Sequence, residues 1–205
     1  MKRTFALVVL TLTLIAGCQQ PENKVSQPAV VQNPEEDKAR NEDLIRRTYR
    51  WQESDTTRDD YITGRHDSMY VGVEMNRHAR NLEHFRQAGL FAEEFIANYD
   101  HVVRTIDSKL RSGELEWPVG DIPPFGEEVD PWYRLQDMPF EHGWEKFEFA
   151  FRSIDTAHAS LTWSWGQTEG YRDFRYNVRV AKENGTWRIA YLEGFDFETC
   201  TKRDY

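Results

Sequence analysis

Apolar residues recur along this chain with two different periods, and the change falls near residue 144. Before it, they step by three and four. Leu44, Ile45, Thr48, Tyr49 and Trp51–Gln52 share one face of a helix predicted near 36–53. Glu35, Glu36 and Asp37 stand at its start, where the helix dipole favours acids. Val71, Met75, His78, Leu82 and Phe85 form a second helical stripe, closed by Gly89. The third runs through Phe91, Phe95, Tyr99, Val102, Val103, Ile106 and Leu110. Glu93 and Glu94 open it, Lys109 and Arg111 close it, and Gly113 stops it. After residue 144 the period is two. Phe147, Phe149 and Phe151 alternate with Glu148 and Ala150. Ala159, Leu161, Trp163 and Trp165 alternate with small polar residues. Phe174, Tyr176, Val178 and Val180 follow, then Trp187, Ile189 and Tyr191. Asn184-Gly185 between these last runs predicts a tight hairpin, since both positions tolerate positive φ. Helices first and antiparallel strands after predict an α+β domain.

Residues 113–143 carry Pro118, Pro123, Pro124, Pro131 and Pro139 among several glycines, together with Trp117, Phe125 and Trp132. A loop of this length in a compact domain is usually functional or mobile. Residues 18–36 hold prolines and amides and no aromatics. That composition cannot bury a core and predicts a flexible tether with a reach on the order of 25 Å. Residues 37–205 then suit a single domain by length.

Residues 1–17 contain Lys2 and Arg3, then an apolar run too short to span a bilayer, which needs about 20 residues. A basic start, an apolar middle and small residues before a cut predict a secretory signal peptide. The segment Leu14-Ile15-Ala16-Gly17-Cys18 resembles the lipobox of bacterial lipoproteins. The resemblance implies cleavage before Cys18, acyl chains on that cysteine, and a membrane contact made through lipid. With Gln19 rather than aspartate next, it also implies sorting to the outer membrane, facing the periplasm. Loss of residues 1–17 removes two cations and no acid, so the net charge of −9 becomes −11. An acidic surface repels phosphate backbones, which argues against nucleic acid as a partner. Cys200 is then the one remaining thiol, without a neighbour to activate it, and reads as passive.

Helices followed by a strand-rich half ending in Val-Arg-Val-Ala-Lys-Glu-Asn-Gly-Thr-Trp-Arg-Ile resemble the nuclear transport factor 2-like superfamily, over roughly residues 40–195. Within it, Asp130-Pro131-Trp132-Tyr133-Arg134-Leu135-Gln136-Asp137 is similar to a segment of a bacterial group carrying a domain of unknown function. The resemblance implies a curved sheet wrapped around long helices, forming a cone with a pocket at its open end. That superfamily hosts isomerases, dehydratases, binding modules and interaction proteins, so the fold does not decide the function.

Three groups of residues are candidates for chemistry. Asp137 at a cone mouth would be desolvated and could act as a general base, with Tyr49, or Tyr99 or Tyr176, as the donor that such chemistry needs. Against this, Asp137 and Gln136 in a Pro-rich loop more often cap turns. Glu74 and His78 share a helix face and His84 and His101 could join them. No His-x-x-x-His pair or cysteine cluster supports a metal, and none is expected, nor any cofactor. Trp132, Trp163 and Trp165, with Gln136 and His142, could line a pocket for a small apolar ligand or anchor a partner, which includes a homodimer. The leading expectation is a lipid-anchored cell-envelope interaction module, for example an immunity-type protein that blocks a toxin. The alternative is an isomerase or dehydratase-type enzyme using Asp137. A pocket sealed by aromatics favours the first, and an open pocket containing Asp137 the second.

Overall fold

The computed structural model describes residues 33–55, 61–63, 68–121, 129–136 and 138–202. The first helix, α1, spans Pro34–Ser54. Pro34 occupies its first turn, where no backbone N–H is needed, beside Glu35, Glu36 and Asp37. Two short strands follow, β1 (Tyr61–Thr63) and β2 (Tyr70–Val73), paired antiparallel. Helix α2 spans Met75–Ala88, and α3 spans Glu93–Ser112. Four longer strands complete the main sheet: β3 (Glu148–Ile154), β4 (His158–Ser164), β5 (Tyr176–Glu183) and β6 (Thr186–Leu192). A last short helix, α4, covers Phe197–Thr201. The domain is thus α+β, with an open antiparallel sheet in the order β3-β4-β5-β6.

The helix stops fall where the glycines stand. Gly89 and Gly113 both take left-handed backbone at φ 67° and 77°, and each closes its helix. Asn184 and Gly185, at φ 51° and 79°, turn β5 into β6 as the Asn-Gly signal predicts. The second predicted stripe is corrected at its start. Val71 belongs to β2, because the carboxylate of Glu74 accepts the backbone N–H of Asn76 and so caps α2 at residue 75. Gly72 lets β2 lie against α3, where a β-carbon would meet Arg111 and Asp107 at 2.9 Å. There the N–H of Val73 donates to Asp107 Oδ1 at 2.7 Å. Phe91 also precedes its helix. Residues 90–92 run extended beside β6, with Ala92 N–H on the Ile189 carbonyl and Ile189 N–H on that of Leu90, both at 2.8 Å.

Alternation in the strands sorts their residues to two faces. Phe149, Leu161, Trp163, Tyr176, Val178, Val180 and Ile189 face the helices. Helix α1 lies against β6 and β3, and α3 against β6 and β2. The core runs between them. Ile45, Tyr49, Trp163, Tyr176, Val178 and Ile189 are completely buried there. Residues 90–92 cover the outer edge of β6, whereas β3 ends the sheet.

Candidate functional site

The segment singled out in the sequence, Asp130 to Gln136, is a tight turn laid across one end of the core. Asp130 shapes it twice. Its carboxylate accepts the Trp132 N–H at 2.7 Å, and its carbonyl accepts the Arg134 N–H at 2.6 Å. The Asp130 N–H bonds the Leu135 carbonyl at 3.0 Å, which closes the turn, and Arg134 adopts φ 53° within it. The turn therefore offers two aromatic side chains to the interior. Trp132 packs edge-on against Phe195 at 5.0 Å, and Tyr133 lies 4.9 Å from Tyr49.

Two buried tyrosines hold the turn in place. The Tyr49 hydroxyl donates to the Trp132 carbonyl at 2.7 Å and accepts from Trp163 Nε1 at 3.0 Å. The Tyr176 hydroxyl donates to the Pro131 carbonyl at 2.8 Å and accepts the Gly194 N–H at 2.9 Å. Beside them Glu193 pairs with Arg134 and accepts both the backbone and the side-chain N–H of Asn177 at 2.7 Å. Burial first, then the neighbouring phenols for Tyr49 and Glu193 for Tyr176, push both hydroxyls well above their ordinary value of 10. They stay protonated, and each has its one proton committed to a backbone carbonyl.

The structure brings Tyr49, Trp132, Trp163 and Trp165 into one ring cluster, with His142 next to the Gly143 carbonyl that accepts from Trp165 Nε1, but these residues differ in exposure. Tyr49, proposed as a catalytic donor, is a fully buried post with its hydroxyl engaged on both sides. Trp163 and Trp165 do share a strand face, but that face is the inner one, and they are 0% and 2% exposed. Neither can anchor a partner from outside, which removes the surface on which a tryptophan-mediated homodimer was expected. Trp132 is half-buried and Gln136 is exposed at the end of the turn. Asp137 and Cys18 lie outside the described residues. Cys200 sits buried in α4, its thiol pushed up to about 12 by burial.

His142 lies at the C-terminal end of α1, where its partner Glu53 also neighbours Tyr133 of the turn. Its Nδ1 is 2.8 Å from Glu53 Oε2, and Trp144 Nε1 donates to the same oxygen at 2.8 Å. The guanidinium of Arg50 stacks over Trp144 at 4.5 Å. The bond to Glu53 raises the His142 pKa above 6.5. A raised value means the protonated pair stabilises the fold fully below the ordinary histidine pKa and loses that contribution as pH rises through the folded one. An NMR titration of the His142 ring should thus show a midpoint above 6.5, returning to the ordinary value in Glu53→Gln. A wild-type midpoint at or below the ordinary value would exclude the pairing.

Among the described residues the other histidines do not converge. His78 is completely buried and reaches Asp100 Oδ1 at 2.9 Å. Burial alone would raise the Asp100 pKa, but hydrogen bonds from Arg104 and His78 outweigh it and hold the carboxyl below its usual range. His84 pairs with Asp55 at 3.2 Å, and His101 stacks on Phe197. Among the described residues no group of three or more His, Cys, Asp or Glu is placed to hold a metal. A groove of about 550 Å³ opens on α2, lined by Arg77, Arg80, Asn81, Glu83, His84 and Gln87. Its polar wall does not suit the apolar ligand anticipated from the tryptophans. Among the described residues no helix is long and apolar enough to cross a membrane.

Sequence reasoning missed Glu193 and Gly194, the two residues that receive the turn. The available signal was the glycine in Leu192-Glu193-Gly194-Phe195, at the end of an apolar strand, where a side chain is absent for close approach of another backbone. A β-carbon on Gly194 would stand 1.7 Å from the Pro131 carbonyl oxygen. Comparison with protein-family models, with curated proteins and with solved structures gives no match for this chain.

Proposed function

We propose that this chain is an interaction module of the bacterial cell envelope, anchored by acyl chains on Cys18 and sorted to the outer membrane facing the periplasm. The nuclear transport factor 2-like reading of the fold belongs to the same proposal. The observation that carries the interaction half is the filled interior. Trp163 stacks on Phe147 at 3.9 Å and on Tyr176 at 5.1 Å, while the Asp130–Leu135 turn is bonded over them by Tyr49 and Tyr176. A pocket packed with the protein's own rings has no room for a substrate there, so recognition falls to the exterior. The acidic surface suits a basic protein partner, as an immunity-type protein meeting a toxin would need.

The anchor is tested by growing a bacterium that expresses the full chain with labelled palmitate. The wild type should carry label and sediment with membranes, and Cys18→Ser should carry none. An unlabelled wild type would end the lipoprotein reading. Native mass spectrometry of the same wild-type product tests the filled interior separately. A bare chain is the expected result, and a stoichiometric small-molecule adduct would move an enzyme or carrier ahead.

A further inference from the structure

Strand β3 is the open edge of the main sheet. Among the described residues it pairs with β4 on one side and with nothing on the other. An open edge presents unpaired N–H and C=O groups and is a template for another strand. The sequence of this edge, Glu148-Phe149-Ala150-Phe151-Arg152, is complementary to its own reverse. Laid antiparallel about Ala150, two copies would set Glu148 against Arg152 twice, Phe149 against Phe151 twice, and Ala150 against itself.

The strand stands as that pairing needs, and the exposed Glu148 carboxylate, which rests against Gly166, would turn outward to meet Arg152 of the second copy. Phe149 and Phe151 oppose the inward residues Trp163 and Leu161, yet both remain half-exposed, because no further strand covers them. Arg152 is the extra residue of the bulge between Phe151 and Ser153, and its exposure sets it with Ser153, which opposes the outward Ser160. Glu148, Ala150 and Arg152 therefore share the outer side, and all three are exposed. Among the described residues neither Glu148 nor Arg152 makes an ion pair within the chain. Arg46, stacked over Phe149 at 4.6 Å, bonds the Phe147 carbonyl and so limits the open stretch on that side. The bulge limits it on the other.

We infer that β3 is a self-association surface, joining two copies of this chain through antiparallel pairing of residues 148–152 about a two-fold axis at Ala150. Such an interface is isologous and closed, so it stops at a dimer. Cross-strand ion pairs and aromatic pairs set its register. Five residues a side bury less than a standard interface, so the dimer is weak in dilute solution. The inference stands on the strand itself and holds whether or not Cys18 carries lipid.

Sedimentation of the full chain in mild detergent, from low micromolar to near-millimolar protein, tests it. The wild type should reach a dimer. Glu148→Arg, and separately Arg152→Glu, should each weaken that dimer by about tenfold or more, since each sets like charges together twice. The double reversal Glu148→Arg with Arg152→Glu restores complementarity and should restore association. Near-ultraviolet circular dichroism checks that each variant keeps the native packing. Should one single variant misfold, the other with the double reversal still decides. In parallel, Ala150→Cys should form a disulfide-linked dimer on mild oxidation, since paired strands bring opposed α-carbons to about 4.5–5.5 Å. Ser153→Cys should not exceed the parent. A chain that stays monomeric throughout, or a dimer indifferent to both charge reversals, would overturn the inference.

Discussion

Trp163→Ala is expected to lower the unfolding free energy by about 3–5 kcal/mol, the range for emptying a large aromatic site in a core. Trp163 is 0% exposed and meets six rings, those of Tyr49, Tyr133, Phe147, Trp165, Phe174 and Tyr176. It stacks on Phe147 and Tyr176 and lies edge-on to Tyr49 at 5.4 Å and Trp165 at 5.1 Å. Its indole N–H also donates to the Tyr49 hydroxyl, so truncation leaves that oxygen short of a donor in a dry interior. Small domains are stable by about 5–15 kcal/mol in all, so the variant should keep only part of the wild-type margin. Urea unfolding measures this directly, and an unchanged slope would show that the native and unfolded states keep their extents. Trp163→Phe should recover part of the loss, because it retains the stacking but still lacks the N–H that the Tyr49 hydroxyl accepts. A loss below about 1 kcal/mol for Trp163→Ala would mean the rings are loosely packed. The interior would then have room for a ligand, against the proposed function.

The periodic parts of this fold were legible because their signals are local. The three stripes of four-and-three spacing are α1, α2 and α3, and the alternating runs are β3 to β6. What stayed hidden depends on contacts distant in sequence. The hairpin of β1 and β2 is short, and Val71 extended the α2 stripe by chance of spacing. On α1, Asp37, Asn41, Thr48 and Gln52 are buried although polar, so the true inner face is broader than the apolar stripe. Asp37 is held there by Trp187 Nε1 at 2.9 Å and by Lys182 at 3.5 Å, partners that no spacing on α1 reveals. For the site, the sequence marked Asp130 to Gln136 as one segment, which folds as a turn, and a shared face for Trp163 and Trp165, which is the inner one. It did not show that the turn closes over that face, since this rests on Tyr49, Tyr176 and Gly194, which lie up to 145 positions apart.

Gly194→Ala tests that closure and should cost about 3–5 kcal/mol, from overpacking together with the loss of buried hydrogen bonds. The clash is between fixed parts. An added β-carbon would sit 1.7 Å from the Pro131 carbonyl oxygen and 2.5 Å from its carbon, and no rotamer change relieves backbone against backbone. The turn must therefore move away. That movement stretches the Tyr176 bond to Pro131 and the pairing of Arg134 with Glu193, on opposite sides of the same contact. Gly72→Ala is the control. Its β-carbon would meet the Arg111 guanidinium and Asp107 Oδ1 at 2.9 Å, the ends of side chains that can shift, so its loss should be far smaller. Urea unfolding ranks the two, and binding of an apolar dye shows whether the core has been uncovered. With the turn lifted, Gly194→Ala should bind dye under conditions where the wild type and Gly72→Ala do not. A Gly194→Ala protein as stable and as closed as the wild type would mean that the turn is not seated on residues 193–195. The filled interior would then lose its cover.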